Sequence, residues 1–200
     1  MAIFRVFFFL FLVVSSYLPS NASAQHIEQL FDEESTLDLS DSLYFLFETD
    51  YQLTISDVSR RRNDFLMHPH DNPNFGFRNN GMWLLTSVAN VSNDKHWVFS
   101  INFSQLDSVD FYLVQNGKVI KQSHQGKAQK EQRFRVPTFR VELPDSDPVD
   151  LYIRIESRSS SLITPLRIQA EPLHSSYSQM DSLLWGFFYG GLLILAIYNL

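Results

Sequence analysis

Val109-Asp-Phe-Tyr-Leu-Val-Gln115, then Asn116-Gly117, then Lys118-Val-Ile-Lys-Gln122 is the stretch that decides the fold. The first run is rich in β-branched and aromatic residues and the second has strand character too. Asn-Gly is the dipeptide that tolerates positive φ at both centres of a type I′ turn, so the three pieces predict a two-residue β-hairpin. Within the first run Phe111 and Leu113 share one face of a strand and Tyr112 faces the other way.

The same signals recur on both sides. Met82–Val91 is strand-like and is followed by a turn at residues 92–95. Trp97–Phe103 alternates at period two, so Trp97 and Phe99 share a face. Phe134–Leu143 alternates again, and Pro137 inside it predicts an edge position or a bulge, because proline cannot donate to a ladder. Val149–Ile155 and Leu162–Ala170 complete the set. Leu43–Thr49 adds a strand at the front. Thr54-Ile-Ser-Asp57 has the form of a capping box, with Asp in place of the usual Glu. It predicts a short helix ending near Arg60-Arg61-Arg62, where cations favour the helix C-terminus. His68–Gly81 is rich in Pro, Asn and Gly and reads as a long loop. About eight short strands over residues 43–171 indicate an all-β antiparallel sandwich or jelly roll.

The two ends differ from this middle. Met1–Arg5 carries one positive charge, Val6–Val14 is a nine-residue apolar run, and Ala22-Ser23-Ala24 is a small-residue cleavage site. That is the order of a secretory signal peptide, residues 1–24, removed before Gln25. From Ser182 to Leu200 there is no charge, and Trp185 near the start suits the membrane interface. Residues 183–200 therefore predict a transmembrane helix at the lower length limit for a span. Gly186 and Gly190 form a GxxxG face for close helix approach. The domain between, residues 25–180, is expected in the periplasm, with the protein held in the inner membrane. The chain is expected to be the front end of a longer membrane protein.

Composition narrows the function classes. The 200 residues hold no Cys, and 16 Lys+Arg stand against 22 Asp+Glu for a net charge of −6. Disulfide and Cys-based zinc frameworks are excluded. Residues 25–58 carry nine acids and no Lys or Arg, whereas Lys118–Arg140 carries seven basic residues and one acid, Glu131. In an exported acidic chain that basic hairpin is read as a solvated face or a contact for anionic sugars, lipid headgroups or a second subunit, not for nucleic acid. No phosphate loop, GxGxxG or GxSxG elbow is present, so no cofactor and no catalytic residue is assigned. His68-Pro-His70-Asp71 has a metal-like spacing, but Pro69 and the loop context favour a solvated loop.

The candidate ligand-binding residues are Trp83, Trp97, Tyr112 and Arg154. Sugar sites use exposed aromatic faces beside polar side chains, and Trp83, Trp97 and Tyr112 lie on predicted strands, where each is either core or such a face. Arg154 shares a strand face with Tyr152, opposite Ile153 and Ile155. It either pairs with an acid of residues 25–58 or points at a ligand.

The order of these pieces carries a resemblance. An acidic strand, the TIS-D helix start, NFGF-x5-W, DSVDFYLV, VDLYIRIES, SSLITPLRIQ and the membrane start GFFYGGLLILAIYNL follow the signal peptide. In that order they resemble the bacterial seven-transmembrane receptors with diverse intracellular signalling modules. The soluble part is similar to the second type of extracellular domain in that family, and residues 183–200 to its first membrane helix. The resemblance implies a jelly-roll sensor similar to carbohydrate-binding modules, joined to membrane helices and a cytoplasmic output such as a histidine kinase or diguanylate cyclase. The partners it implies are a small polar ligand such as a carbohydrate, the membrane, and either a second copy of the chain or a downstream signalling module. A membrane-anchored assembly module and a β-sandwich hydrolase are the competing classes.

Overall fold

Alternation along the strands is realised as two sheets facing each other across an apolar core. A computed structural model describes residues 26–32, 36–49, 52–68, 73–127, 135–145 and 147–198, with backbone only over 172–182. The expected signal peptide lies outside the described residues.

Eleven strands are present among the described residues: β1 (Ile27–Leu30), β2 (Leu37–Asp38), β3 (Tyr44–Phe47), β4 (Leu66–Met67), β5 (Met82–Asn90), β6 (His96–Ile101), β7 (Ser108–Gln115), β8 (Lys118–Gln125), β9 (Thr138–Glu142), β10 (Val149–Glu156) and β11 (Leu166–Ala170). A seven-stranded sheet has the order β4-β3-β5-β10-β7-β8, with β1 lying parallel beside the end of β5. The four-stranded sheet runs β2-β11-β6-β9. All other pairings are antiparallel.

The expected count of eight strands is corrected to eleven. The additions, β1, β2 and β4, span four, two and two residues. Runs that short carry no period of their own, and only their partners make them strands. The Asn-Gly hairpin forms as expected: Asn116 and Gly117 have φ of 49° and 74°. The strand expected over 134–143 is shorter. Pro137 precedes Thr138, where β9 starts, and β9 is an edge strand.

The inter-sheet core takes one face of each strand. Phe111, Leu113, Leu151, Ile153 and Ile155 of the larger sheet meet Trp97, Phe99, Ile101, Phe139, Val141 and Ile168 of the smaller one. The Phe111 and Phe139 rings stack with centroids 4.6 Å apart.

Thr54 opens the helix α1 (Ile55–Arg60) with a complete capping box. The Asp57 amide donates to Thr54 Oγ1 at 3.3 Å and the Thr54 amide to Asp57 Oδ2 at 3.0 Å. Thr54 Oγ1 also donates to Asp57 Oδ2 at 2.6 Å, and that bond, followed by the one from the Thr54 amide, holds the Asp57 carboxyl below its ordinary pKa. Thr54→Ala is expected to lower stability by about 1 kcal/mol, read as a reduced urea midpoint at unchanged slope.

β11 passes at Ala170 into the helix α2 (Glu171–Tyr198) with no loop between them. Residues 171–180, whose polar sequence reads as a short tether before the membrane segment, are therefore helical. Glu171 Oε1 sits 3.0 Å from Arg140 Nε of β9, which fixes the first turn to the smaller sheet. Among the described residues no helix is long and apolar enough to cross a membrane. The side chains from Leu183 to Tyr198 are all exposed. That stretch covers about 24 Å at ~1.5 Å per residue, against a hydrocarbon core of about 30 Å.

Candidate functional site

Strand alternation gives the larger sheet a second, outward face, and its side chains are not those of a plain solvated surface. Across β5, β10, β7 and β8 the register aligns Trp83, Arg154, Asp110 and His124 in one row. The next row holds Leu85, Tyr152, Tyr112 and Gln122. Half of this face is roofed. Leu53, Val58 and Phe65 of the segment around α1 pack on Tyr44, Trp83, Leu85 and Tyr152 in a second apolar cluster. The roof is pinned by Arg62, which pairs with Asp150 and donates from Nη2 to Ser87 Oγ at 3.0 Å.

Under the roof lies a buried ion pair. Arg154 Nε and Nη2 donate to Glu48 Oε1 and Oε2, each at 2.8 Å. Glu48 Oε1 also accepts from Trp83 Nε1 at 2.9 Å and from the Leu53 amide at 3.1 Å. Glu48 is 6% exposed and Arg154 5%. Burial alone pushes the Glu48 carboxyl up, but the bonds from Arg154 and Trp83 and the Arg154 charge outweigh it and hold the group below its ordinary value. Bonding to Glu48 likewise raises Arg154, against the effect of its own burial. A Cβ on Gly81 would stand 2.3 Å from Glu48 Oε2 and 2.7 Å from Arg154 Nη2, so the pair occupies the space that glycine leaves.

Beyond the roof the sheet is open. Tyr112 is partly exposed and stacks on Trp83 at 5.7 Å with 28° between the rings. Burial, then the charge of Asp110, pushes its phenol pKa up. Arg154 Nη1 reaches past the ion pair to Glu156 Oε2 at 3.3 Å and Asp110 Oδ2 at 3.7 Å. Asp110 Oδ1 hydrogen-bonds His124 Nδ1. Asp110, Tyr112, Gln122, Ser123 and His124 line a shallow depression of about 330 Å³. A larger groove of about 600 Å³ opens between β8 and β9, crossed by the Lys95–Asp145 ion pair. It holds none of the four expected residues, and no buried charge or aromatic stack supports it.

The structure thus brings together three of the four expected residues, Trp83, Tyr112 and Arg154. Trp97 is not with them. It is 3% exposed in the inter-sheet core, where Nε1 donates to the Asp94 carbonyl at 2.9 Å. Of the two roles open to Arg154, pairing with an acid of residues 25–58 is the one seen, through Glu48. His68 is buried against the rings of Phe45 and Phe75, while His70 and Asp71 lie outside the described residues. Among the described residues no three metal-ligating side chains converge. Asp110 and Glu156 had a signal in the sequence, being two residues from Tyr112 and Arg154 on the same face. Gln122 and His124 needed the register of β8.

Residues 40–170, from the 3-10 turn before β3 to the last residue of β11, match the family model described as 7TMR-DISM extracellular 2. The chain belongs to that family. Its β-rich part is accordingly an extracellular sensor domain of a receptor, outside the known enzyme families. Among curated proteins none matches the chain. The 7TMR-DISM match ends at Ala170, the residue before α2 begins. It encloses the whole outward face just described, from Glu48 to Glu156.

Proposed function

We propose that the chain is the ligand-sensing part of a bacterial membrane signalling receptor, with residues 25–180 in the periplasm and residues 183–200 crossing the inner membrane. In this reading residues 1–24 are a cleaved signal peptide. The absence of charge from Ser182 to Leu200 and the exposure of the described side chains from Leu183 onward support the crossing.

The ligand is a small polar molecule such as a carbohydrate, and it binds in the Tyr112 depression. One observation carries this: a partly exposed tyrosine, stacked on a buried tryptophan, lies beside Asp110, Gln122 and His124, and Asp110 is held between His124 and Arg154 Nη1. An aromatic face next to rigid donors and acceptors is what a sugar ring needs. The depression lies at the margin of the roof, so a ligand there touches the sheet and borders the segment that covers it. Signalling requires the ligand to bind two states with different affinity. α2 is the natural output, because it continues β11 without a flexible joint and is clamped by Arg140.

A thermal-shift screen of sugars and other polar metabolites on the full chain in lipid nanodiscs tests the reading. A ligand at 100 times its Kd adds about 2.7 kcal/mol of stability. Tyr112→Ala is expected to remove that shift. The second reading, an assembly module, has support in the edge strand β4, where Leu66 and Met67 are 63% and 55% exposed. Capture of one fixed protein partner, with no compound shifting the melt, would favour it.

A further inference from the structure

Resting on the reading of the Tyr112 depression as the ligand face, we propose that it selects a ligand bearing a primary ammonium group over its neutral and anionic analogues. The reason is a mismatch of charge around one cation. Arg154 forms ion pairs with three carboxylates, Glu48, Asp110 and Glu156. Glu48 takes both Nε and Nη2 in a bidentate bond, which leaves Nη1 alone to serve Asp110 and Glu156. Those two contacts, at 3.7 and 3.3 Å, place the two carboxylate oxygens at most about 7 Å apart. Asp110 has a further hydrogen bond from His124 Nδ1, but the three carboxylates still share a single guanidinium, and Asp110 and Glu156 are each more than a fifth exposed.

An anionic ligand meets the wrong sign here. The guanidinium that would attract it is 6% exposed and already bonded, while Asp110 lines the depression. The two lysines of β8 do not correct this. Lys121 stands opposite Leu113 and shares its core-side face, and Lys118 stands opposite Gln115 beyond a bulge. An ammonium group fits on both counts. It adds the missing second cation beside Asp110, and the Tyr112 ring offers it an aromatic surface. Gln122, on the same lining, is placed to bond the ligand's hydroxyl groups.

Calorimetric titration of the full chain in nanodiscs with glucosamine, glucose and glucuronate decides the matter, since the three share a ring and differ in charge. Glucosamine is expected to bind about tenfold more tightly than glucose, with glucuronate weakest, and raised salt should narrow the gap. Asp110→Asn, of the same size, should bring the glucosamine-to-glucose affinity ratio down from about tenfold to about one. Glu156→Gln is the parallel variant if Asp110→Asn does not fold. Glucuronate binding as tightly as glucosamine, or a glucosamine preference untouched by either variant, overturns the charge selection. If Tyr112→Ala still abolishes binding in that case, the ligand face itself stands. Binding by none of the three, or binding indifferent to Tyr112→Ala, overturns both.

Discussion

Arg154→Met should destabilise the domain by about 3–5 kcal/mol, the cost of leaving a buried carboxylate without its partner. Methionine fills much of the arginine volume, so the loss is electrostatic rather than a cavity. Glu48 would keep the bonds from Trp83 and the Leu53 amide but lose both bonds to the guanidinium. Urea unfolding followed by tryptophan fluorescence measures it. The double variant Glu48→Gln/Arg154→Met should recover part of the loss, because removing both charges leaves none stranded. An Arg154→Met protein as stable as the parent would mean that Glu48 is not buried as described.

The same pair sets a pH dependence. The Glu48 carboxyl lies below its ordinary value of 4.5 in the folded protein. A depressed folded-state pKa stabilises the fold fully above the unfolded value, and the contribution fades as pH falls through the folded one. The thermal midpoint of the parent should therefore drop on acidification below about pH 4.5. In Glu48→Gln this component of the slope should be missing.

Trp97→Ala should cost about 3–5 kcal/mol as well, for a different reason. Its ring fills the space between the sheets next to Val141 and Ala170, and truncation leaves a cavity that two packed sheets cannot close. Ligand binding at Tyr112 should survive the change wherever the protein remains folded. A cost near zero would place the ring at the surface and return Trp97 to the ligand candidates.

How much of this was legible in the sequence follows from what each feature depends on. The Asn-Gly hairpin, the capping box at Thr54 and the alternation of Phe111 against Tyr112 are local, and local chemistry determines them. The inner and outer faces of β10 could be read too, which is why Arg154 and Tyr152 were placed opposite Ile153 and Ile155. The choice of Trp83 over Trp97 could not be read. Both sit on alternating strands, and only the stacking of the sheets decides that one faces its partner sheet and the other the roof. Nor could the identity of Glu48 as the acid bound to Arg154, since 106 residues separate them and nine acids compete. The strands β1, β2 and β4 were invisible because they are too short to have a period. The helical start of α2 was hidden behind Pro172 and a polar stretch that reads as a linker, although proline is well placed in a first helical turn.

The proposed ligand face is the outward side of β7 and β8. Amide hydrogen exchange of the full chain in nanodiscs, with and without saturating glucosamine, tests it most directly. Slower exchange confined to residues 108–125 and the neighbouring roof, and abolished by Tyr112→Ala, is the predicted result. Unchanged exchange at 108–125 together with protection at the β4 edge or in the groove between β8 and β9 would contradict it.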